Sequence, residues 1–351
     1  MQGPDVAAIR PGEELDLDAL AHLLDRCLPG PPAPLEAFQF PGGHSNLTYL
    51  LRRGGREYVL RRPPLGPVPP RAHDMAREAH ILEKLAPLYP PAPRVELICE
   101  DDAVLGRPFY LMERRRGVIL RREVPAEIAA LPDHPQRIAE GFLDSLIELH
   151  SIDIAAHGLD RLGKPEGFLE RQVQGWSRRW ETARTRPVPA MERLSRWLLD
   201  HLPASPAPTM VHNDYKLDNV MLAEDDPGRI VAVLDWEMSS VGDPLVDLGV
   251  LLCYWPEPGD PPARREAISP VTTQPGWPSR AELLERYRAK TGRNLDGVAY
   301  YEVFGVFKLA VVLEQIYRRY HLGQTRDERF RQFEATVRGL ADAAEVVQRT
   351  T

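Results

Sequence analysis

Three residues have the types and the spacing to do chemistry together: Asp214, Asn219 and Asp235. They lie in a stretch from Met210 to Leu248 that runs apolar segment, polar loop, apolar segment, turn, apolar segment, carboxylate. The polar loop reads His212-Asn213-Asp214-Tyr215-Lys216-Leu217-Asp218-Asn219. Polar density of this kind between apolar runs points to a site, because loops on rigid scaffolds carry chemistry. At a loop tip, Asp214 can accept or orient the proton of an attacking hydroxyl. Asn219 and Asp235 offer amide and carboxylate oxygens, the donors that suit Mg2+, which takes few protein ligands and keeps phosphate oxygens as the rest. Lys216 can set a cation against the negative charge of a transferring phosphoryl group.

The order His-x-Asp with an Asn five residues after the Asp is the spacing of the protein-kinase catalytic loop. Asp235 follows sixteen residues beyond Asn219. The apolar runs Val220 to Leu222 and Ile230 to Leu234, with a turn at Asp225-Asp226-Pro227-Gly228, predict a hairpin. A hairpin would let Asn219 and Asp235 reach one metal. The other polar groups have plainer roles. His212 is expected to be a scaffold histidine and Asp218 a loop-stabilising group. Asp243 and Asp247 are expected to cap and anchor the helix that Pro244 starts.

The elements that must position this loop read as two parts. Residues 1 to 14 look loose, and Leu17 to Leu28 has helical spacing behind Asp16 as N-cap. Strand-like runs follow at Leu35 to Phe40, Leu47 to Leu51, Tyr58 to Leu60, Val95 to Cys99 and Phe109 to Met112, with a turn at Asp101-Asp102. A helix is expected from Arg71 to Leu85. The loop Pro41-Gly42-Gly43-His44-Ser45-Asn46 could lay backbone N–H groups over phosphates, although a glycine-containing hairpin is structural more often. Strand alternation puts Val59 and Arg61 on one face, Tyr58, Leu60 and Arg62 on the other. A strand cation paired to Glu78 on the helix would hold nucleotide phosphates, as in kinases; a surface ion pair is the commoner arrangement. Five arginines in nine residues (Arg114, Arg115, Arg116, Arg121, Arg122) read as a solvated charged loop or an anion contact.

Beyond residue 114 helices dominate, at Gln136 to His150, 166 to 185, 190 to 202, 280 to 290, about 298 to 320 and 326 to 348. The 298–320 helix is apolar nearly all round and so must be buried, which obliges Lys308 and Glu314 to find partners. Between Asp160 and Asp200 stand nine Arg or Lys against six Asp or Glu, which argues against an acid-lined pocket for polycations.

Composition narrows the class. The 351 residues carry a formal charge of −7, and a nucleic-acid binder should instead show a basic domain. Proline is abundant at 35 and clusters in connections, which reads as stiffened loops. Cys27, Cys99 and Cys253 are widely spaced with apolar neighbours, so buried free thiols are expected, without zinc or redox work. With no basic-then-apolar leader and no run of eighteen apolar residues, no membrane partner and a cytoplasmic location are expected.

The chain resembles the aminoglycoside phosphotransferase (APH) family, kinase-like phosphotransferases of small molecules. The motifs that carry this are His212-Asn213-Asp214 through Asn219, Leu234-Asp235-Trp236-Glu237 and Gly242-Asp243-Pro244 through Asp247-Leu248, with support from Gly42 to Asn46 and Tyr58 to Arg61. Within the family it is most similar to kinase-like domains that accompany acyl-CoA dehydrogenases, an impression carried by Tyr301 to Lys308 and on to Tyr320. The resemblance implies an α+β, bilobal protein-kinase-like fold: residues 1–113 as a nucleotide-binding lobe with a five-stranded antiparallel sheet and one helix, residues 114–351 as a helical lobe with the catalytic loop. It implies ATP and Mg2+ as cofactors, Asp214 as base aided by Lys216, and Asn219 and Asp235 as metal ligands. Gly43, Ser45, Asn46, Arg61, Glu78, Glu113 and Arg115 would meet the nucleotide, adenine lying along the backbone from Met112 to Arg115. One departure stands out: the usual strand lysine is an arginine here, Arg61 or Arg62. Arginine stays charged and binds phosphate bidentately. The expected reaction moves the γ-phosphoryl group to a hydroxyl of a small molecule, a hydroxyacyl thioester being one candidate. The alternatives are a nucleotide-binding pseudokinase and a kinase of aminoglycoside- or choline-like cations.

Overall fold

The computed structural model of the protein describes residues 5–41, 46–66 and 74–349. The chain forms two compact units, one of Met1–Arg116 with Val231–Glu237, the other of Gly117–Ile230 with Met238–Thr351. The return of 231–237 to the first unit has no counterpart in a single boundary at 113/114.

The first unit begins with helix α1 (Leu17–Cys27), in whose first turn the Ala19 N–H donates to the Asp16 side chain. Strands β1 (Leu35–Gln39), β2 (Leu47–Arg53) and β3 (Arg56–Arg62), helix α2 (Met75–Leu85), strand β4 (Val95–Cys99), the short helix α3 (Asp102–Leu105) and strand β5 (Phe109–Glu113) follow. The five strands make one antiparallel sheet in the order β1-β2-β3-β5-β4. Leu47, Tyr49, Leu51, Tyr58 and Leu60 bury one face of it with Leu20 and Leu24 of α1. Three expectations change here. Residues 5–15 are not loose: Ala7 and Gln39 exchange backbone hydrogen bonds of 2.8 and 2.9 Å, Val6 and Leu15 are buried, and the Tyr49 hydroxyl donates to the Glu13 carbonyl at 2.7 Å. Asp101-Asp102 opens α3 rather than a bare turn, because the Asp101 carboxylate caps the Ala103 N–H. Cys27 is exposed at the last position of α1 although its spacing is that of the buried stripe, whereas Cys99 and Cys253 are buried thiols.

The second unit contains α4 (Ala126–Ala129), α5 (His134–His150), α6 (Phe168–Ala183), α7 (Pro189–Asp200), short strands β6 (Thr209–Val211), β7 (Val220–Leu222) and β9 (Ser240–Gly242), and helices α8 (Pro244–Cys253), α9 (Pro262–Ala267), α10 (Arg280–Thr291), α11 (Val298–His321) and α12 (Phe333–Gln348). Strand β8 (Ile230–Val233), partner of β7 in the expected hairpin, carries the chain back to the first unit. Helix α11 is the centre, buried along nearly its whole length as its all-round apolar sequence requires. It crosses α8 at glycines: a Cβ on Gly249 would stand 2.1 Å from the Tyr301 carbonyl oxygen, and one on Gly305 would stand 2.4 Å from the Gly249 oxygen. Glu314 resolves as a structural ion pair, taking Arg186 at 3.0 Å and the Thr185 N–H and hydroxyl at 2.8 Å. No helix among the described residues is long and apolar enough to cross a membrane.

Candidate active site

In the first unit the arginine paired to Glu78 is Arg61, not Arg62. Arg61 projects from β3 and donates through Nη1 to Glu78 Oε1 at 2.7 Å and through Nη2 to Asp235 Oδ1 at 3.0 Å. Arg62 points to the opposite sheet face, 5.9 Å from the Tyr49 ring centroid. Glu78 is fully buried on α2 and also accepts the Trp236 N–H at 3.1 Å. Burial pushes its carboxyl up to about 7 against the pull of Arg61. A planar fork reaches two carboxylates at once, which an ammonium does less rigidly. Asp235 has φ of 68°, a backbone conformation that side-chain-bearing residues seldom adopt and that clusters at functional sites. The next residues fix it: the Trp236 indole donates to the Val233 carbonyl at 2.8 Å, and Glu237 accepts Asn46 Nδ2 at 2.9 Å while its carbonyl accepts Arg77 Nη1 at 3.1 Å. Asn46 is thus tied to the Asp-Trp-Glu motif. Gly43 and Ser45 lie outside the described residues. Glu113 and Arg115 form an ion pair of 2.6 Å, Glu113 also taking Arg94 and Arg115 the Pro90 carbonyl, so the side chains of both are engaged with protein. Arg114 and Arg116 bond Glu57, which makes this part of the arginine run a charge network rather than a free anion contact.

In the second unit the polar loop is built around Asp214. Its Oδ2 accepts Lys216 Nζ at 2.7 Å and Asn219 Nδ2 at 2.9 Å, and Asn219 Nδ2 also donates to the Asp214 carbonyl at 2.9 Å. The Asn219 amide nitrogen is therefore fully committed, while its oxygen has no protein donor among the described residues. Lys216 Nζ also lies 4.8 Å from the Tyr254 ring centroid. The preceding residue, Asn213, has φ of 64°. Asp247, at the first turn of α8 and wholly buried, holds it there: Oδ1 accepts the Asn213 N–H at 2.6 Å and Oδ2 the His212 N–H at 2.8 Å. Burial opposes charge on Asp247, but hydrogen bonds from His150, at 3.1 Å, and from the His212 N–H outweigh it and keep the carboxyl below its usual range. His212 accepts the Asp214 N–H at 3.2 Å through Nδ1, a scaffold role. Asp243 caps α8 through the Leu245 N–H and takes the Tyr301 hydroxyl at 2.6 Å. Lys308 of α11 donates to the Asn213 carbonyl and sits 5.2 Å from the Trp176 ring centroid. Burial lowers its pKa and the charge of Asp214 opposes that. Asp218 is raised by burial and takes no hydrogen bond from another described residue.

Sequence reading missed His150, Tyr254 and Trp176 as members of this region. His150 had a signal, a polar residue ending the buried stripe of α5. Tyr254 and Trp176 had none, because aromatics in helical patterns are ordinarily core.

A strand cation paired to a helix glutamate beside one antiparallel sheet, and a helical unit carrying an Asp-x4-Asn loop, are features of kinase-like phosphotransferases, a class in which the strand cation is usually lysine. The chain belongs to the phosphotransferase enzyme family of the APH type, whose model matches residues 36–283. It is 34% identical over 343 residues to mouse acyl-CoA dehydrogenase family member 10, covering 97% of this chain and 32% of that protein. To human acyl-CoA dehydrogenase family member 11 it is 33% identical over 347 residues, covering 96% and 44%. The chain thus spans less than half the length of these curated relatives. A crystal structure from Ralstonia eutropha, provisionally named an aminoglycoside phosphotransferase, matches with a TM-score of 0.80 at 29% identity over 96% of this chain and 99% of that one. The ternary complex of APH(4)-Ia with AMP-PNP and hygromycin B matches at 0.60 and 17% identity over 95% and 100%, which shows the shared fold.

Proposed function

We propose that the protein is an ATP- and Mg2+-dependent phosphotransferase that moves the γ-phosphoryl group to a hydroxyl of a small molecule. The observation that carries this is the Asp214 carboxylate, fixed by Asn219 and Lys216 behind a strained Asn213. That arrangement supports a preorganised proton acceptor with a cation beside it, and catalysis of this class is mainly positioning and electrostatics. Asp214 takes the hydroxyl proton as the oxygen attacks. Lys216 carries charge towards the transferring group. Arg61, held by Glu78, would contact the nucleotide phosphates.

The donor set suits the metal. Asn219 has its amide nitrogen spent on Asp214, with no protein donor to its oxygen among the described residues, and Asp235 offers a carboxylate beside the Arg61 guanidinium. When bound, Mg2+ would neutralise charge on the β- and γ-phosphates. Asn219 and Asp235 are its proposed ligands, and Asn46, Glu113 and Arg115, with Gly43 and Ser45, the proposed surroundings of the nucleotide. The names of the curated relatives support a hydroxyacyl thioester as one acceptor class. A pseudokinase reading has one observation behind it, arginine in place of the strand lysine; the two carboxylates that Arg61 spans favour a working clamp instead. The test is ATP consumption against a panel of hydroxylated metabolites, with Asp214→Ala as the control. Activity that survives in Asp214→Ala would remove the proposed base.

A further inference from the structure

Next to Asp214, in the second unit, two cations share one aromatic ring, and among the described residues no carboxylate forms an ion pair with either. The Arg179 guanidinium carbon lies 4.3 Å from the Trp176 ring centroid, and Lys308 Nζ lies 5.2 Å from it. Lys308 is buried, and its one hydrogen bond among the described residues is to a neutral carbonyl, that of Asn213. Arg179 makes no hydrogen bond and no ion pair with any described residue. The carboxylates of its own helix are occupied elsewhere, Glu170 by Gln174 at 2.9 Å and Glu181 by Arg184 at 2.9 Å. Arg178, also exposed, adds a third positive charge.

Arg179 is exposed to solvent, and burial, followed by repulsion from Arg178, lowers its pKa. Gly175 lies one turn before it, and a Cβ there would meet nothing within 4 Å. Lys308 senses the charges of both Asp214 and Arg179, so the proposed base and this cationic wall are neighbours. Two positive charges held against one ring repel each other, and a bound anion relieves that cost. A ligand ammonium would meet repulsion on the same wall.

We propose that Trp176, Arg179 and Lys308 form an oxyanion subsite for the phosphate acceptor, which is therefore a hydroxy compound bearing a phosphate or carboxylate group and not an amine. This rests on the kinase reading above and names its substrate class. Arg179 is the principal contact, its fork suited to either oxyanion.

The test uses four alcohols of matched length with the full chain: 3-hydroxypropyl phosphate, 3-hydroxypropionate, 1,3-propanediol and 3-aminopropanol. Phosphoryl transfer from ATP is measured as kcat/KM, and binding of 3-hydroxypropyl phosphate by calorimetry. One charge-assisted contact predicts about a 10- to 100-fold preference for at least one anionic alcohol over the diol. Arg179→Met should bring that ratio close to one, and Arg179→Lys should keep part of it. Preference for the phosphate over the carboxylate, or the reverse, identifies the oxyanion. Equal use of the diol or amine, or an unchanged ratio in Arg179→Met, overturns the proposal. If none of the four accepts phosphate, the calorimetry decides: a tenfold loss of affinity in Arg179→Met supports the subsite, and equal or absent binding in wild type and variant overturns it. The kinase reading fails separately, if Asp214→Asn transfers phosphate to any acceptor as wild type does.

Discussion

Replacing Asp247 by asparagine should disarm the proposed catalytic loop from beneath. In the native protein this buried carboxylate accepts three hydrogen bonds: Asn213 N–H at 2.6 Å, His212 N–H at 2.8 Å and His150 at 3.1 Å. Asparagine keeps the size but has one acceptor oxygen, and its NH2 would face a backbone donor. One buried N–H loses its partner and the remaining bonds lose charge assistance, a destabilisation of about 2–4 kcal/mol. For a unit of this size that is a fall of roughly 5–12 °C in thermal midpoint. The strain at Asn213, φ 64°, is also no longer held, so the loop relaxes and Asp214 shifts. A displacement near 1 Å costs on the order of 100-fold in rate. Thermal unfolding and kcat on the same preparation test this. The pH dependence gives a second reading. The folded carboxyl titrates below its ordinary value, so its contribution to stability is present above that value and is lost as pH falls through the lower folded one. Wild type should therefore lose this contribution in acid, and Asp247→Asn should lack that part of the acid dependence. A variant within about 1 °C of wild type, with unchanged kcat, would refute the anchoring role, since the predicted shift is several times larger.

Other substitutions test the frame around the site. Arg186→Met leaves the fully buried Glu314 without its guanidinium, and should lower stability by about 3–5 kcal/mol in urea unfolding. Gly249→Ala drives a methyl to 2.1 Å from the Tyr301 carbonyl oxygen. The α8–α11 crossing must open, at a cost of about 1–3 kcal/mol read as a lower thermal midpoint. Arg61→Met strands Glu78 in the interior and takes the guanidinium away from Asp235, so nucleotide affinity, measured by calorimetry with ATP, should fall by at least about 10-fold for a lost charge-assisted contact.

Much of this was legible in the chain itself. The Asp214–Asn219 spacing, the Asp16 and Asp243 caps and the buried 298–320 helix all follow from local rules: a loop motif, capping chemistry and hydrophobic periodicity. Arg61 was named over Arg62 only through the family resemblance, because period-2 alternation separates the two faces but does not say which one α2 covers. The N-terminal segment looked loose because its anchors, Val6, Ala7 and Glu13, are scattered singly and find β1 and β2 only in the folded sheet. Asp247 was expected to anchor a helix; that it also holds the N–H groups of His212 and Asn213, 35 and 34 residues earlier, is tertiary information. The cationic wall at Trp176 joins α6 to α11 across more than a hundred residues, and no spacing rule connects them.

The central claim is that Asp214 takes the proton in phosphoryl transfer. Transfer from γ-labelled ATP to the best acceptor of the panel, compared between wild type and Asp214→Asn alongside calorimetric ATP affinity, tests it most directly. Loss of a general base predicts a fall of about 100- to 10,000-fold in kcat, with ATP affinity nearly unchanged. Wild-type turnover in Asp214→Asn, or a loss of activity matched by an equal loss of ATP binding, would contradict it.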